Sequence, residues 1–275
     1  MSSNLIRRIE EKTGRRIPQV PANELHIAKV GYQAEDDRVL SLSLRGCGLR
    51  QLPDALWELT SLQTLSLGEN EITELPPDIG MLSQLRQFYL FNNPIASLPD
   101  ELTTLTDLEI LDLGHNKLAS IPNSIGNFKK LQFLYLSDNL LSTLPNSIGN
   151  LDSLIYLSMT DNQFTELPAA VCRLRNLKEL RIYNNRLSRL PEDIGGLGEL
   201  RELHARGNRL TELPETIGDL QNLYYLDLRG NLLSEVPESV GKIKELRKLD
   251  LRWNRIGDTK EVTSQITNGE CSIYL

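Results

Sequence analysis

The sequence predicts an α/β solenoid in which short parallel strands alternate with short helical or 3-10 turns. Three observations support this class. Asparagine recurs every 23 residues, leucines keep a fixed spacing around it, and a proline follows the last apolar residue of each copy. A fixed period of roughly 20–29 residues is typical of stacked repeats that share one core. The recurring asparagines are Asn70, Asn93, Asn116, Asn139, Asn162, Asn185, Asn208, Asn231 and Asn254.

Each copy follows the frame Leu-x-x-Leu-x-Leu-x-x-Asn-x-Leu-x-x-Leu-Pro-x-x-Ile-Gly-x-Leu-x-x, with Leu62 as position 1 of one copy. This frame resembles that of leucine-rich repeats, which form a horseshoe. Positions 3 to 5 are predicted to form a strand, because residues at 4 and 6 then point inward and those at 3 and 5 outward. The outward residues line a parallel concave β-sheet, and the prolines hold the return segment on the convex side. The asparagine amide satisfies backbone groups of neighbouring turns, and Cys47 replaces it in the first copy.

The repeats predict three regions along the chain. Ten copies fill residues 39–257, preceded by an N-terminal cap over residues 1–38 and followed by a C-terminal cap over residues 258–275. Caps are expected because a stack leaves an apolar edge at each end. The N-terminal cap is predicted to be a helix over residues 4–13 followed by an extended segment, since Gly14 is suited to end a helix.

The C-terminal cap allows two interpretations. In one, Asp258 and Glu261 form a capping box that opens a short helix with Val262 and Ile266 facing inward. In the other, the chain makes a hairpin across residues 268–269.

Charge and cysteine usage limit the function classes. The net charge is −7; residues 39–153 carry 6 basic and 13 acidic side chains, and residues 154–275 carry 17 and 18. The chain lacks the basic footprint of a nucleic-acid-binding protein and any apolar run of the length that crosses a bilayer. Three cysteines at unrelated positions favour a reducing, cytoplasmic setting. Export without a cleaved signal remains an alternative.

Residues capable of chemistry are sparse. The histidines are His26, His115 and His204. The last two are four copies apart, about 19 Å at one strand spacing per copy, so they cannot share a metal ion. We therefore predict neither a metal site nor a cofactor.

Asp227 and Asp250 are the strongest catalytic candidates, because both occupy position 5 of adjacent copies. Two carboxylates about 5 Å apart can perform acid–base chemistry. The alternative is that they are surface ions paired with the column formed by Arg206, Arg229 and Arg252 at position 7. We favour that alternative and predict no enzymatic activity.

The variable concave positions give the main functional prediction. Aromatic residues recur there although a repeat scaffold does not require them, and exposed apolar patches rimmed by charge typically mark interaction sites. Packing across neighbouring strands is the alternative role for these rings. The predicted partner-binding residues are Tyr89, Phe91, Ile110, Asp112, Phe133, Tyr135, Tyr156, Arg181, Tyr183, Arg206, Tyr225, Arg229, Arg252 and Trp253.

The Leu-Pro-x-x-Ile-Gly-x-Leu return segment resembles the intracellular repeats of Ras-binding scaffold proteins, plant Ras-group repeat proteins and many bacterial repeat proteins. Residues of the N-terminal cap resemble the segment that opens the repeat domain of bacterial Roco proteins. These are Ile6-Arg7-x-Ile9-Glu10, Gly14, Val20, Gly31-Tyr32, Asp37-Arg38-Val39 and Cys47-Gly48.

The first resemblance implies a protein partner in intracellular signalling, and the second implies a small GTPase or a GTPase domain as that partner. No Gly-x-x-x-x-Gly-Lys-Ser/Thr motif occurs. The main hypothesis is thus a non-enzymatic interaction scaffold. The alternatives are the sensing or autoregulatory domain of a Roco-type GTPase protein and the target-recognition domain of an exported bacterial effector.

Overall fold

The computed structural model describes residues 2–21, 29–257, 259–266 and 271–275, so His26, Asp258 and residues 268–269 lie outside the described part. The chain forms two compact units, residues 1–135 and 136–275. Its α-helices are α1 (Ser2–Thr13) and α2 (Thr259–Gln265). Its strands are β1 (Val30–Glu35), β2 (Arg38–Leu44), β3 (Thr64–Ser66), β4 (Gln87–Tyr89), β5 (Ile110–Asp112), β6 (Phe133–Tyr135), β7 (Tyr156–Ser158), β8 (Glu179–Arg181), β9 (Glu202–His204), β10 (Tyr225–Asp227), β11 (Lys248–Asp250) and β12 (Ser272–Tyr274).

Strands β3 to β11 each occupy positions 3 to 5 of a copy, as the repeat frame predicts. The residue at position 4 is fully buried in every one of them, so it belongs to the core. The residues at positions 3 and 5 project from the opposite side of the strand. We call the surface formed by the side chains at positions 3, 5, 7 and 8 the sheet face.

The predicted asparagine ladder joins adjacent copies. The Asn162 amide donates to the carbonyls of Leu136, at 2.9 Å, and Thr160, at 2.9 Å, and its Oδ1 accepts from the Leu141 N–H at 3.0 Å. Polar backbone groups that stacking removes from water are thereby satisfied. Asn254 is only half-buried, because no further repeat covers this last member of the ladder.

The return segments are 3-10 helices, and the proline that precedes each of them has φ between −54° and −74°. Proline fixes this backbone angle and cannot donate to a strand ladder, which keeps the segment out of the sheet. These 3-10 helices are Asp54–Leu56, Pro77–Met81, Asp100–Thr104, Asn123–Asn127, Asn146–Asn150, Ala169–Arg173, Glu192–Gly196, Glu215–Asp219 and Glu238–Lys242.

In the first unit, β1 pairs antiparallel with β2, and β2 to β6 are parallel in sequence order. Helix α1 begins at Ser2, two residues before the predicted start, and buries Ile6 and Ile9. It ends where Gly14 takes a φ of +64° and its N–H donates to the Glu10 carbonyl at 2.8 Å.

In the second unit, β7 to β12 are parallel in sequence order. Helix α2 buries Val262, and Ile266, which directly follows the helix, is buried as well, as the helix interpretation predicts. Strand β12 pairs in parallel with β11, whereas residues 268–269, on which the hairpin interpretation depends, lie outside the described residues. Within the described residues, no helix combines the length and the apolar character that crossing a membrane requires.

Candidate binding surface

Six of the predicted partner-binding residues lie together on the sheet face of the first unit, and all six are half-buried. Position 5 contributes a column in which Asp112 lies between Tyr89 on β4 and Tyr135 on β6. We call these six residues the N-terminal patch; they are Tyr89, Phe91, Ile110, Asp112, Phe133 and Tyr135.

Asp112 lies in an apolar setting. Burial raises the pKa of its carboxyl group, although the Gly114 N–H donates to Oδ1 at 3.0 Å and opposes that rise. Burial also raises the pKa of the neighbouring Tyr89 phenol, and the charge of Asp112 adds to this effect. The column therefore combines aromatic rings with a poorly solvated carboxylate.

Phe91 packs onto the backbone of the preceding copy. A Cβ added to Gly68 would lie 2.6 Å from the Phe91 ring, so only glycine allows this contact. Arg45 covers the ring, with its guanidinium carbon 5.1 Å from the centroid, and Glu69 holds that guanidinium at 2.5 Å. We expected Phe91 and Tyr135 to be exposed, but both are half-buried. For Phe91, the contacts with Gly68 and Arg45 account for this burial.

The second unit places two buried aspartates on its sheet face. Asp227 and Asp250 are 1% and 0% exposed, so our interpretation of them as surface ions is wrong. Arg229 binds Asp227 through two hydrogen bonds of 2.8 and 2.7 Å, and Arg252 binds Asp250 through two of 2.9 and 2.7 Å. The Nε of Arg229 also lies 3.5 Å from Asp250. The predicted pairing is thus correct for Arg229 and Arg252 but not for Arg206, which lies over a tyrosine ring. The two carboxylates are buried beneath the guanidinium groups that bind them.

This pairing argues against acid–base catalysis by the two aspartates. Burial raises the pKa of the Asp227 carboxyl, but the side-chain and backbone hydrogen bonds from Arg229 outweigh that effect, and the pKa lies below its usual value. A carboxylate held ionised by a bidentate guanidinium is a poor proton donor or acceptor near neutral pH.

Cations cover the remaining predicted aromatics of this unit. Arg181 lies over the Tyr156 ring at 5.5 Å, and Arg206 lies over the Tyr183 ring at 4.5 Å. Each arginine comes from the copy that follows its ring. Both distances lie within the range of cation–π interactions, so each contact restrains the guanidinium and the ring.

The C-terminal end of the sheet face is more exposed. Lys248 lies 4.3 Å from the Tyr225 ring and 5.7 Å from the Tyr274 ring, and Arg252 lies 5.4 Å from Tyr274 and 5.7 Å from Trp253. We call these five residues the C-terminal patch. Sequence reasoning missed Tyr274, because the repeat frame ends before β12 brings this tyrosine beside Asp250. Lys248 lies within the frame, at position 3 of the last copy, but was not among the predicted residues.

Trp253 is the outlier on this surface. Its side chain is 75% exposed, and its backbone takes a φ of +63°. Position 8 takes this left-handed conformation in every other copy, where it is occupied by Gly46, Glu69, Asn92, His115, Asp138, Asp161, Asn184, Gly207 and Gly230. Glycine, asparagine and aspartate tolerate the conformation, whereas it strains a bulky aromatic residue.

A groove of about 660 Å³ lies on the turn side of the second unit. It is lined by the leucine–proline pairs of successive copies, including 167–168, 190–191 and 213–214. Because every stacked copy repeats these pairs, the groove follows from the fold. It is separate from the sheet face.

Two family models match the chain. One, described as a leucine-rich repeat region, matches residues 77–155 and 123–209, and the other, described as a leucine rich repeat, matches residues 61–82, 199–220 and 222–243. No curated protein matches the chain.

Solved structures give the same picture. The plant peptide hormone receptor RGFR1, in complex with RGF2, has a TM-score of 0.66 and 33% identity, covering 74% of this chain and 34% of the receptor chain. The ectodomain of the Arabidopsis thaliana receptor kinase GASSHO1/SCHENGEN3, in complex with CASPARIAN STRIP INTEGRITY FACTOR 2, has a TM-score of 0.75 and 26% identity, covering 93% of this chain and 33% of that one. This chain spans about a third of the length of either receptor chain. The repeat frame, the asparagine ladder and these matches agree that the chain is a leucine-rich repeat protein.

Proposed function

We propose that this protein is a non-enzymatic interaction scaffold that binds a protein segment on its sheet face. Trp253 carries the proposal. An indole that is 75% exposed leaves apolar area in water, and the left-handed backbone at the same residue adds strain of about 1–3 kcal/mol. The repeat frame imposes this backbone conformation but does not require an indole there, and the contact with Arg252 leaves most of the indole in water. A partner that covers the indole would offset this exposure, since tryptophan is among the residues enriched at binding hot spots.

The surroundings of Trp253 indicate the chemistry of the partner. Lys248 lies between two tyrosine rings, and no described carboxylate lies within ion-pairing distance of its ammonium group. A partner carboxylate can therefore pair with Lys248 while an apolar side chain covers Trp253. This combination suits an acidic segment with at least one large apolar residue.

The N-terminal patch offers a second contact surface in the first unit. Its rings are half-buried, so we expect them to add contact area rather than to act as anchors. The comparisons support a protein partner, because RGFR1 and GASSHO1/SCHENGEN3 were both solved in complex with one.

The test is affinity capture from native lysate by the wild-type protein and by Trp253→Asn, followed by mass spectrometry. Asparagine suits the left-handed conformation, so we expect this variant to melt no lower than wild type. We expect it to lose a partner that the wild-type protein retains, and the purified pair to show at least about tenfold weaker binding, as removal of a hot-spot residue does.

Tyr224→Asn is the matched control. Tyr224 is 55% exposed but precedes β10, so it lies at the amino ends of the strands, whereas Trp253 follows β11 at their carboxyl ends. The proposal fails if Trp253→Asn captures the same proteins as wild type, or if the control loses them equally.

Two further proposals concern biological context. The Roco-like cap residues support the proposal that the partner is a GTPase, in the same chain or another. In the structure Val20 and Tyr32 of that cap are joined by a backbone hydrogen bond of 2.9 Å. A cytoplasmic location is also proposed, because Cys47, Cys172 and Cys271 are free thiols. Binding assays against a panel of nucleotide-loaded small GTPases test the first proposal, and failure to bind any of them counts against it.

A further inference from the structure

Two carboxylates and an imidazole converge on the sheet face of the second unit. Glu179 and Glu202 occupy position 3 of adjacent parallel strands and face each other across the β8–β9 register. His204 lies at position 5 of the same strand as Glu202. One ligand atom from each residue lies within 4.8 Å of the other two. Like charges directly opposite each other on a sheet are unfavourable, so this arrangement favours a cation between them.

The distances fit a single metal ion. His204 Nε2 lies 2.9 Å from Glu202 Oε2 and 3.8 Å from Glu179 Oε1. Donors of a tetrahedral zinc ion lie about 2.0–2.2 Å from the metal, which separates them from one another by about 3.3 Å. The two observed separations lie on either side of this value. All three donor atoms lie within 4.8 Å of one another, so one ion could contact all of them.

The surrounding residues hold this arrangement. Arg181 Nε donates to Glu179 Oε1 at 2.5 Å, which orients this carboxylate, and the same oxygen keeps a second lone pair for a metal ion. The Tyr225 ring meets the His204 ring edge-on at a centroid distance of 5.2 Å. The His204 side chain is 15% exposed and that of Glu179 is 24% exposed, so both keep access to solvent while their orientations are restricted.

We propose that Glu179, Glu202 and His204 bind one Zn²⁺ ion. An imidazole with two carboxylates suits zinc, whereas calcium and magnesium prefer oxygen-only sites. Three protein ligands leave the fourth position for water or for a donor from a partner. The ion would cross-link β8 and β9. The zinc proposal is independent of the partner-binding proposal, because none of the three ligands belongs to the N-terminal or the C-terminal patch.

The test is isothermal titration of the metal-free protein with ZnCl₂, using wild type, His204→Ala, Glu202→Gln and His115→Ala. We expect wild type to bind one equivalent. Both variants of the proposed ligands should bind at least about tenfold more weakly, since loss of even a supporting residue weakens metal sites by that factor. His115 is exposed at position 8 of another copy, so its variant should match wild type.

A second measurement separates ligand loss from misfolding. Co²⁺ at a tetrahedral site with nitrogen and oxygen donors gives visible d–d absorption, which we expect for wild type and not for Glu202→Gln. Circular dichroism in EDTA checks that each variant is folded, and Glu202→Gln is the safer variant because it preserves shape on a side chain that is 42% exposed. Absence of one-equivalent binding in wild type, or equal affinity in folded wild type and Glu202→Gln, would overturn the proposal.

Discussion

Aspartate occupies position 5 of the repeat in both units, but the two surroundings differ. In the first unit, Asp112 lies between two tyrosines, and burial raises the pKa of its carboxyl group. In the second unit, Asp227 is more deeply buried, yet hydrogen bonds from Arg229 hold the pKa of its carboxyl below the usual value. The same position in the repeat thus gives one destabilised and one stabilised charge.

The difference arises two residues later in the frame. Position 7 is Gly114 after Asp112, whereas it is Arg229 after Asp227 and Arg252 after Asp250. Glycine offers only its backbone N–H to the carboxylate, while arginine offers a bidentate guanidinium. An Asp-x-Arg sequence on the sheet face therefore forms a local ion pair, and this pair offsets the desolvation cost of burying the carboxylate.

The largest effect is expected for Asp227→Asn. Removing the carboxylate leaves Arg229 without its bidentate partner, and breaking a buried pair costs about 3–5 kcal/mol. We expect a loss of free energy of unfolding of about 3 kcal/mol at pH 7, measured by urea denaturation. Because the folded pKa of Asp227 is lowered, its contribution is present above the unfolded pKa and is lost as the pH falls through the folded value.

The difference in free energy of unfolding between Asp227→Asn and wild type should therefore be smaller below a pH of about 4. Arg206→Gln is the matched control, since Arg206 occupies the same position 7 and contacts a tyrosine ring rather than an aspartate. It should change stability by less than about 1 kcal/mol. If both variants are equally stable, the ion pair does not determine the difference between the units.

An intermediate effect is expected for the asparagine ladder, and here the two units should behave alike. Asn116 in the first unit and Asn162 in the second each accept one backbone N–H and donate to three carbonyls. Replacing either by alanine leaves buried backbone groups unsatisfied, at about 1–3 kcal/mol. We expect each variant to lose about 2 kcal/mol of free energy of unfolding, measured by urea denaturation.

Asn254→Ala is the control for this pair, because the side chain is half-buried at the end of the ladder. Asn254→Ala should lose less free energy of unfolding than either internal variant. A marked inequality between Asn116→Ala and Asn162→Ala would show that the units differ in their scaffold as well as in their sheet faces.

The repeat frame was sufficient to predict strands β3 to β11, the asparagine ladder and the return turns. Each depends on spacing, which the sequence displays directly: the strands fall at positions 3 to 5 because side chains alternate there between core and surface. The same alternation predicted that Asp227 faces outward. It could not predict the burial of this side chain, because a side chain two residues away folds over it.

Contacts between copies explain the other differences between the sequence-based predictions and the structure. Phe91 is covered by Arg45, two copies earlier in the chain, and the proposed zinc ligands combine position 3 of two copies with position 5 of one. Comparing the copies column by column, rather than one at a time, would have placed Glu179 beside Glu202 and His204. Tyr274 lies beyond the last copy, so no column contains it.

The smallest effect is expected for Asp112→Asn, and its sign is opposite to that of Asp227→Asn. Since the folded pKa of Asp112 is raised, this group contributes stability below its unfolded pKa and loses that contribution as the pH rises through the folded value. Asparagine removes the buried charge and keeps an Oδ1 that accepts from the Gly114 N–H. At pH 7 we expect a gain of up to about 1 kcal/mol.

The pH dependence distinguishes this explanation from a simple packing gain. The gain should shrink as the pH falls through the folded pKa, because wild-type Asp112 then becomes neutral too. Thermal melts of both proteins between pH 7 and pH 3.5 measure the difference. A gain that stays constant across this range would mean that charge burial is not its cause, and a loss at pH 7 would mean that the carboxylate stabilises the Tyr89–Asp112–Tyr135 column, which would remove the contrast between the two units.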